Sequence, residues 1–264
     1  MTAEPSLVSS KDNPLLKELR RLAQDPGGYR RSGRIWIEGD HLCRAACARG
    51  LRASVALFAE SQWSRMRHEW QGAADRIVLV ADPLLAVLST LESPAPMGFV
   101  MELPPAPALA PDAPSVVLDR LQDAGNVGSI LRSAAAFGFA QVLALKGTAA
   151  LWAPKVLRAG MGAHFGLRLI EGLEADALQA LRVPLVATSS HRGEYLHRTA
   201  LPHPCAWLMG HEGQGVSAAL EARAALTVRI VQPGGEESLN VAAAAAICLH
   251  ASAASAGSGD GARL

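Results

Sequence analysis

The stretch Ser115-Val-Val-Leu-Asp119, continued by Arg120-Leu-Gln-Asp-Ala-Gly-Asn-Val-Gly128, sets the reading of the whole chain. An apolar run of strand length ends in a polar, glycine-bearing loop, and Ser129-Ile-Leu-Arg-Ser-Ala-Ala-Ala-Phe-Gly138 then follows with helical character. Gly125 and Gly128 allow a tight turn and a close approach of backbone to a ligand. The helix expected over 128–137 offers unpaired N–H groups that favour an anion. Arg132 falls in its first turns, where a guanidinium reaches a phosphate or a developing oxyanion. Taken alone, Asn126-x-Gly128-x-x-x-Arg132 also reads as a helix cap and a surface arginine.

Two more glycine-bearing loops follow expected strands. Leu208-Met-Gly-His-Glu-Gly-Gln-Gly215 carries glycines as G-x-x-G-x-G rather than the dinucleotide spacing G-x-G-x-x-G. Gly160-Met-Gly-Ala-His-Phe-Gly166 misses that spacing by one residue and follows a helix, so a nicotinamide oxidoreductase is disfavoured. The third loop, Ile230-Val-Gln-Pro-Gly-Gly-Glu-Glu-Ser-Leu-Asn-Val241, opens a long alanine-rich helix. Ser238 there serves as an N-cap beside Glu237, or turns inward with Asn240 toward a ligand held by Pro233, Gly234 and Gly235. The small residues 241–246 suit burial or close packing on a partner subunit.

Around these loops strands are expected at 115–119, 141–145, 184–188, 205–209 and 226–230. Helices are expected at 128–137, 154–159, 173–181, 217–223 and 239–254. Alternation of apolar strands with helices argues a mostly parallel sheet covered on both faces, with ligands at the carboxyl ends of its strands. Five prolines between Leu103 and Pro114 make a linker. Before it, Asn13 caps and Pro14 opens a helix with Leu15, Leu16, Leu19 and Leu22 on one face. Strands are expected at 35–37, 55–59, 76–81 and 98–103, and helices at 41–49 and 84–91. The organisation is a small α/β domain over 1–103, a linker over 104–114, a second α/β domain over 115–256 and a disordered tail over 257–264.

The 264 residues are 50% apolar and 19% charged, which excludes a disordered chain. The net charge of +1 hides an asymmetry, since Lys11 to Arg52 holds ten basic and five acidic residues. The start MTAEPSLVSSKDN has no secretory pattern, and the uncharged stretch 238–259 is too weakly apolar to span a bilayer. Four cysteines read as reduced structural thiols, with no cluster at metal spacing, so the expectation is a cytoplasmic protein without a metal.

The three loops, in this order, resemble the SpoU (TrmH) branch of the SPOUT RNA 2'-O-ribose methyltransferases. The first motif is carried by Asn126, Gly128 and Arg132, the second by Gly210, Glu212, Gly213 and Gly215, the third by Ile230 through Ser238-Leu239-Asn240-Val241. Lys11-Asp-Asn-Pro14 and Ile37-Glu-Gly39 resemble the family's small L30e-like substrate-binding domain. The resemblance implies a C-terminal trefoil knot, S-adenosyl-L-methionine as cofactor, and a homodimer whose active site forms across both chains. It implies cofactor contacts at Gly210, Ile230 and Leu239, and a catalytic set of Asn126, Arg132, Glu212, Ser238 and Asn240. The family's Pro-Met after the isoleucine is replaced by Val231-Gln232, and its serine after Asn-Val by Ala242.

A guanidinium with a pKa above ~12 is a poor base, so Arg132 is read as stabilising the forming alkoxide while gripping the adjacent phosphate. RNA binding is expected from Lys11, Lys17, Arg20, Arg21, Arg30 and Arg31, through phosphate contacts and RNA shape. Twelve aromatics in the chain are too few for a base-stacking sheet. Ribosomal RNA is favoured over transfer RNA by analogy of the N-terminal domain. The alternatives are a non-catalytic RNA-binding protein on the same fold and a methyltransferase that blocks an antibiotic site on ribosomal RNA.

Overall fold

The computed structural model describes residues 4–89, 93–234 and 238–257. Two compact units result: Met1–Pro105 with Trp152–Phe165, and Ala106–Leu151 with Gly166–Leu264. Trp152–Phe165, which sequence assigns to the second domain, therefore packs with the first unit. The expected tail lies outside the described residues apart from Gly257, the last residue of a helix.

The first unit holds a mixed five-stranded sheet of β1 (Ser6–Val8), β2 (Arg34–Glu38), β3 (Ala53–Ala59), β4 (Ala74–Val80) and β5 (Met97–Glu102), in the order β1-β4-β3-β5-β2. The helix Pro14–Gln24 forms as expected. Asn13 Oδ1 accepts the N–H of Leu15 at 2.9 Å, Pro14 pre-sets the first turn, and Leu16, Leu19, Leu22 and Ala23 are buried. They meet Trp36, Val55, Leu57, Val78 and Val100 in one core. A Cβ on Gly98 would lie 2.2 Å from the Trp36 ring, so the indole packs this closely on β5 only because that residue is glycine. The helix expected over 84–91 is shorter, Asp82–Ala86, and residues 90 and 91 fall outside the described residues. Strand β1, with Leu7 52% exposed, carried no apolar run to betray it.

The second unit is built on seven parallel strands: β6 (Ser115–Asp119), β7 (Gln141–Leu145), β8 (Arg168–Leu173), β9 (Leu185–Thr188), β10 (Glu194–Tyr195), β11 (Ala206–Gly210) and β12 (Leu226–Arg229). Their order is β10-β12-β9-β11-β6-β7-β8, with every pairing parallel. Strands β6, β7 and β11 are buried along their whole length, as a sheet covered on both faces requires. One face packs Val117, Leu143, Ile170, Leu185 and Leu208 with Leu178 and Leu220. The long helix Val241–Gly257 is tied to β11, where Trp207 Nε1 donates to Ser252 Oγ at 2.9 Å within the core.

Three expectations are corrected. The helix expected over 173–181 is instead the end of β8 and a short 3-10 segment, Ala175–Ala180, whose Leu178 still reaches the core. The helix expected from Gly128 begins at Ala124, because Asp123 Oδ1 accepts the N–H of Asn126 at 2.8 Å and caps it. Gly125 and Gly128 thus sit inside a helix and not in a loop. Asn240, not Ser238, caps the last helix: its Oδ1 accepts from the N–H groups of Ala242 at 2.9 Å and Ala243 at 3.3 Å.

Candidate active site

The carboxyl ends of β6 and β11 lie side by side, Asp119 opposite Gly210. Asp119 is 2% exposed, and its carboxylate joins the two following loops. It accepts the N–H of Ser217 at 2.7 Å and Arg120 Nε at 2.9 Å, while Arg120 also reaches Gln214 Oε1 at 3.0 Å. Burial pushes this carboxyl up, but the hydrogen bonds from Arg120 and Ser217 outweigh it and hold it below its ordinary value. Arg120 sits at φ 59°, a left-handed conformation that costs an L-residue about 1–2 kcal/mol. Sequence reading missed this clamp; its one signal was a carboxylate closing an otherwise apolar strand.

Above the clamp, Glu212 accepts the backbone N–H of Asp123 at 3.0 Å and of Gln122 at 3.3 Å. It also accepts Asn126 Nδ2 at 3.3 Å. Desolvation raises the Glu212 carboxyl, and these hydrogen bonds prevail and leave it lowered. Asn126 Oδ1 accepts Asn240 Nδ2 at 3.0 Å. One residue from each of the three sequence loops is therefore joined in a single chain of hydrogen bonds.

Beside that chain opens a cavity of about 630 Å³, within the usual range for a small-molecule site. Gly210, Glu212, Ile230, Ser238, Leu239 and Asn240 line it, so all three residues expected to hold a cofactor are there. A Cβ on Gly210 would lie 2.1 Å from the backbone of Gly215 and Val216, which leaves glycine alone able to let the loop fold back. That hairpin is closed by His211 N–H to Gly215 O at 3.0 Å and Gly215 N–H to His211 O at 2.8 Å. The loop after β9, with Ser189, His191 and Arg192, also lines the cavity, and Arg192 pairs with Glu221 at 2.5 Å. It was not anticipated, because a short polar loop with the single glycine Gly193 carries no recognisable spacing. In the third loop Gly235 and Glu237 lie outside the described residues.

Arg132 is not brought to this cavity. It lies on the exposed face of the Ala124–Ala136 helix with Ser129 and Ala136, and it has no ion-pair partner among the described residues. Asn126 lies six residues back, roughly 240° around the helix. In the first unit, Lys17 pairs with Asp12 at 3.1 Å, Arg31 pairs with Asp25, and Arg30 stacks 5.1 Å over the Tyr29 ring. Lys11, Arg20 and Arg21 have no ion-pair partner among the described residues.

The SpoU rRNA Methylase family model matches residues 113–250. The chain belongs to the SpoU family.

Among SpoU relatives, the chain is 30% identical to a Synechocystis protein described as an uncharacterized tRNA/rRNA methyltransferase, over 95% of this chain and 94% of the relative. It is 29% identical to the Bacillus subtilis 23S rRNA (guanosine(2553)-2'-O)-methyltransferase RlmP, over 92% and 97%. The fold superposes on the AdoMet-bound rRNA methyltransferase of Sinorhizobium meliloti with a TM-score of 0.81 at 25% identity, covering 95% of this chain and 98% of the other. The α/β architecture with a parallel sheet is thus that of the SpoU methyltransferases. Among the described residues there is no cluster of metal-ligating side chains and no helix long and apolar enough to cross a membrane.

Proposed function

We propose that this SpoU chain transfers the methyl group of S-adenosyl-L-methionine to a ribose 2'-hydroxyl of structured RNA. The observation that carries the reading is the Glu212–Asn126–Asn240 hydrogen-bond chain set against the cavity of Gly210, Ile230 and Leu239. The cofactor fits this cavity by volume, by the backbone cradle at Gly210, and by an unpartnered buried acceptor, Gln232 Oε1. When bound, it supplies an electrophilic sulfonium methyl. The backbone at Gly210, Ile230 and Leu239 would grip it, while Asn126, Glu212, Ser238 and Asn240 orient the ribose. Holding nucleophile and methyl in line lowers much of the barrier.

Arg132 stabilises the forming alkoxide and grips the adjacent phosphate, and the hydroxyl proton leaves to phosphate or water. Its exposed position and lack of an ion-pair partner among the described residues support a homodimer in which each chain completes the other's site. Exposed Ile247, 42% accessible on the small-residue C-terminal helix, fits the same reading. The finer family features follow with it: a C-terminal trefoil knot, an L30e-like first unit, and a cytoplasmic location.

RNA is held through Lys11, Arg20 and Arg21, which are free to meet phosphate, with Lys17, Arg30 and Arg31 exchanging their present partners. Ribosomal RNA is the favoured class, as the names of the B. subtilis and S. meliloti relatives support. The test is transfer of labelled methyl to unmodified large-subunit rRNA, small-subunit rRNA and bulk tRNA, across salt. Label in one rRNA, with RNA affinity falling steeply as salt rises, is the expected result. Label confined to tRNA would overturn the rRNA preference, and affinity indifferent to salt would overturn the basic face.

A further inference from the structure

Gln232 stands where the family pattern has a methionine, and its Oε1 is buried with no hydrogen-bond partner among the described residues. The side chain lines the same cavity as Gly210 and Leu239. An acceptor left unpaired in the interior is unfavourable, so a ligand that brings a donor is favoured there. The neighbouring lining divides by chemistry. Ile230, Leu239, Val241 and Ala244 are apolar, whereas Glu212 and Glu221 are carboxylates.

S-adenosylmethionine has an aminoacyl ammonium, ribose hydroxyls and the adenine edge as donors. An ammonium is best matched by a carboxylate, and Glu221, which also pairs with Arg192, supplies one. The ribose hydroxyls donate and accept singly and can be served by backbone. The 6-amino group of adenine stands beside a ring-nitrogen acceptor, and a carboxamide whose oxygen accepts from the amino group while its NH2 donates to the ring nitrogen is the complementary fork. A flat purine also needs apolar walls, which Ile230 and Leu239 in the third loop provide.

We propose that Gln232 reads the 6-amino edge of the cofactor's adenine by a side-chain hydrogen bond. The inference rests on the cofactor assignment above and adds to it a specificity-determining residue. It predicts that this chain discriminates among purines more sharply than a methionine-bearing variant does.

The test is calorimetric titration of the full-length protein with S-adenosylhomocysteine and with S-inosylhomocysteine, in which a 6-oxo group replaces the 6-amino group. The wild type should prefer the adenosyl ligand at least tenfold. Gln232→Met should narrow that preference to about threefold, chiefly by weakening the adenosyl ligand, at a melting temperature no lower than that of the wild type. An unchanged preference in the variant would overturn the role of Gln232 alone. Equal binding of the two ligands by the wild type would overturn it without recourse to any variant. If the wild type bound neither ligand, the cofactor assignment and this inference would fall together.

Discussion

Asn240 Nδ2 donates to Asn126 Oδ1 at 3.0 Å, joining positions 114 residues apart in the chain. The same Asn240 side chain caps the last helix through its Oδ1, so one carboxamide ties helix geometry to site geometry. These two duties separate by substitution. Asn240→Ser keeps a good capping group and is too short to span to Asn126. Its melting temperature should stay within a few degrees of wild type while kcat falls at least tenfold. Loss of stability with unchanged kcat would show that Asn240 is only a cap.

Arg132→Ala should abolish turnover and leave S-adenosylmethionine affinity nearly intact, because Arg132 does not line the cavity of its own chain. Mixing it with a cavity-defective variant, each inactive alone, should restore up to about a quarter of wild-type activity. That is the statistical share of one intact site in random heterodimers. Retention of more than a tenth of the wild-type rate by Arg132→Ala would contradict the role, and failure of the mixture would contradict the shared site.

Gly210→Ala should be severe. Its Cβ would fall 2.1 Å from backbone atoms of Gly215 and Val216, where no rotamer change relieves the clash. Overpacking of this kind costs about 1–3 kcal/mol or more, and the loop that lines the cavity must shift. Cofactor titration should show at least tenfold weaker binding. Normal affinity and melting temperature together would mean that the Gly210 turn is not what shapes the cavity.

Ser252→Ala provides a structural contrast. It strips the Trp207 indole N–H of its acceptor in the buried core, at a cost of about 1–3 kcal/mol. Chemical denaturation should register that loss with kcat/KM unchanged. A fall in kcat/KM at saturating stability would instead tie this buried pair to the site.

The strands that face helices on both sides were legible because burial on both faces leaves an unbroken apolar run, as in Ser115–Asp119 and Gln141–Leu145. The three site loops were legible from their glycines and the order of their motifs, and residues from all three meet. The starts of the two helices that bear site residues, at Ala124 and Val241, were not. Asp123 and Asn240 compete with nearby Gly125 and Ser238 as punctuation, and only the side-chain hydrogen bonds decide. The packing of Trp152–Phe165 with the first unit was also out of reach, because a local apolar pattern specifies burial without naming the surface that covers it. The Asp119–Arg120 clamp was hidden for a similar reason, since its partner Ser217 lies 98 residues away.

The lowered carboxyl of Glu212 fixes a pH dependence. A folded-state value below the ordinary 4.5 means that its contribution to stability is complete above about pH 4.5 and is lost as pH falls through the folded value. Glu212 therefore stays ionised throughout the neutral range. Rate profiles of wild type and Glu212→Gln between pH 6 and 9 should run parallel, offset in height. A limb present in the wild type and missing in the variant would make Glu212 a titrating acid or base.

The most direct test is the chemical position of the methyl group on the product RNA. RNA treated with the protein and labelled S-adenosylmethionine should carry its label in a 2'-O-methylnucleoside, and one linkage should resist alkaline cleavage. Arg132→Ala should give neither signal. Label on a base nitrogen or carbon, with every linkage still alkali-labile, would contradict ribose methylation by this site.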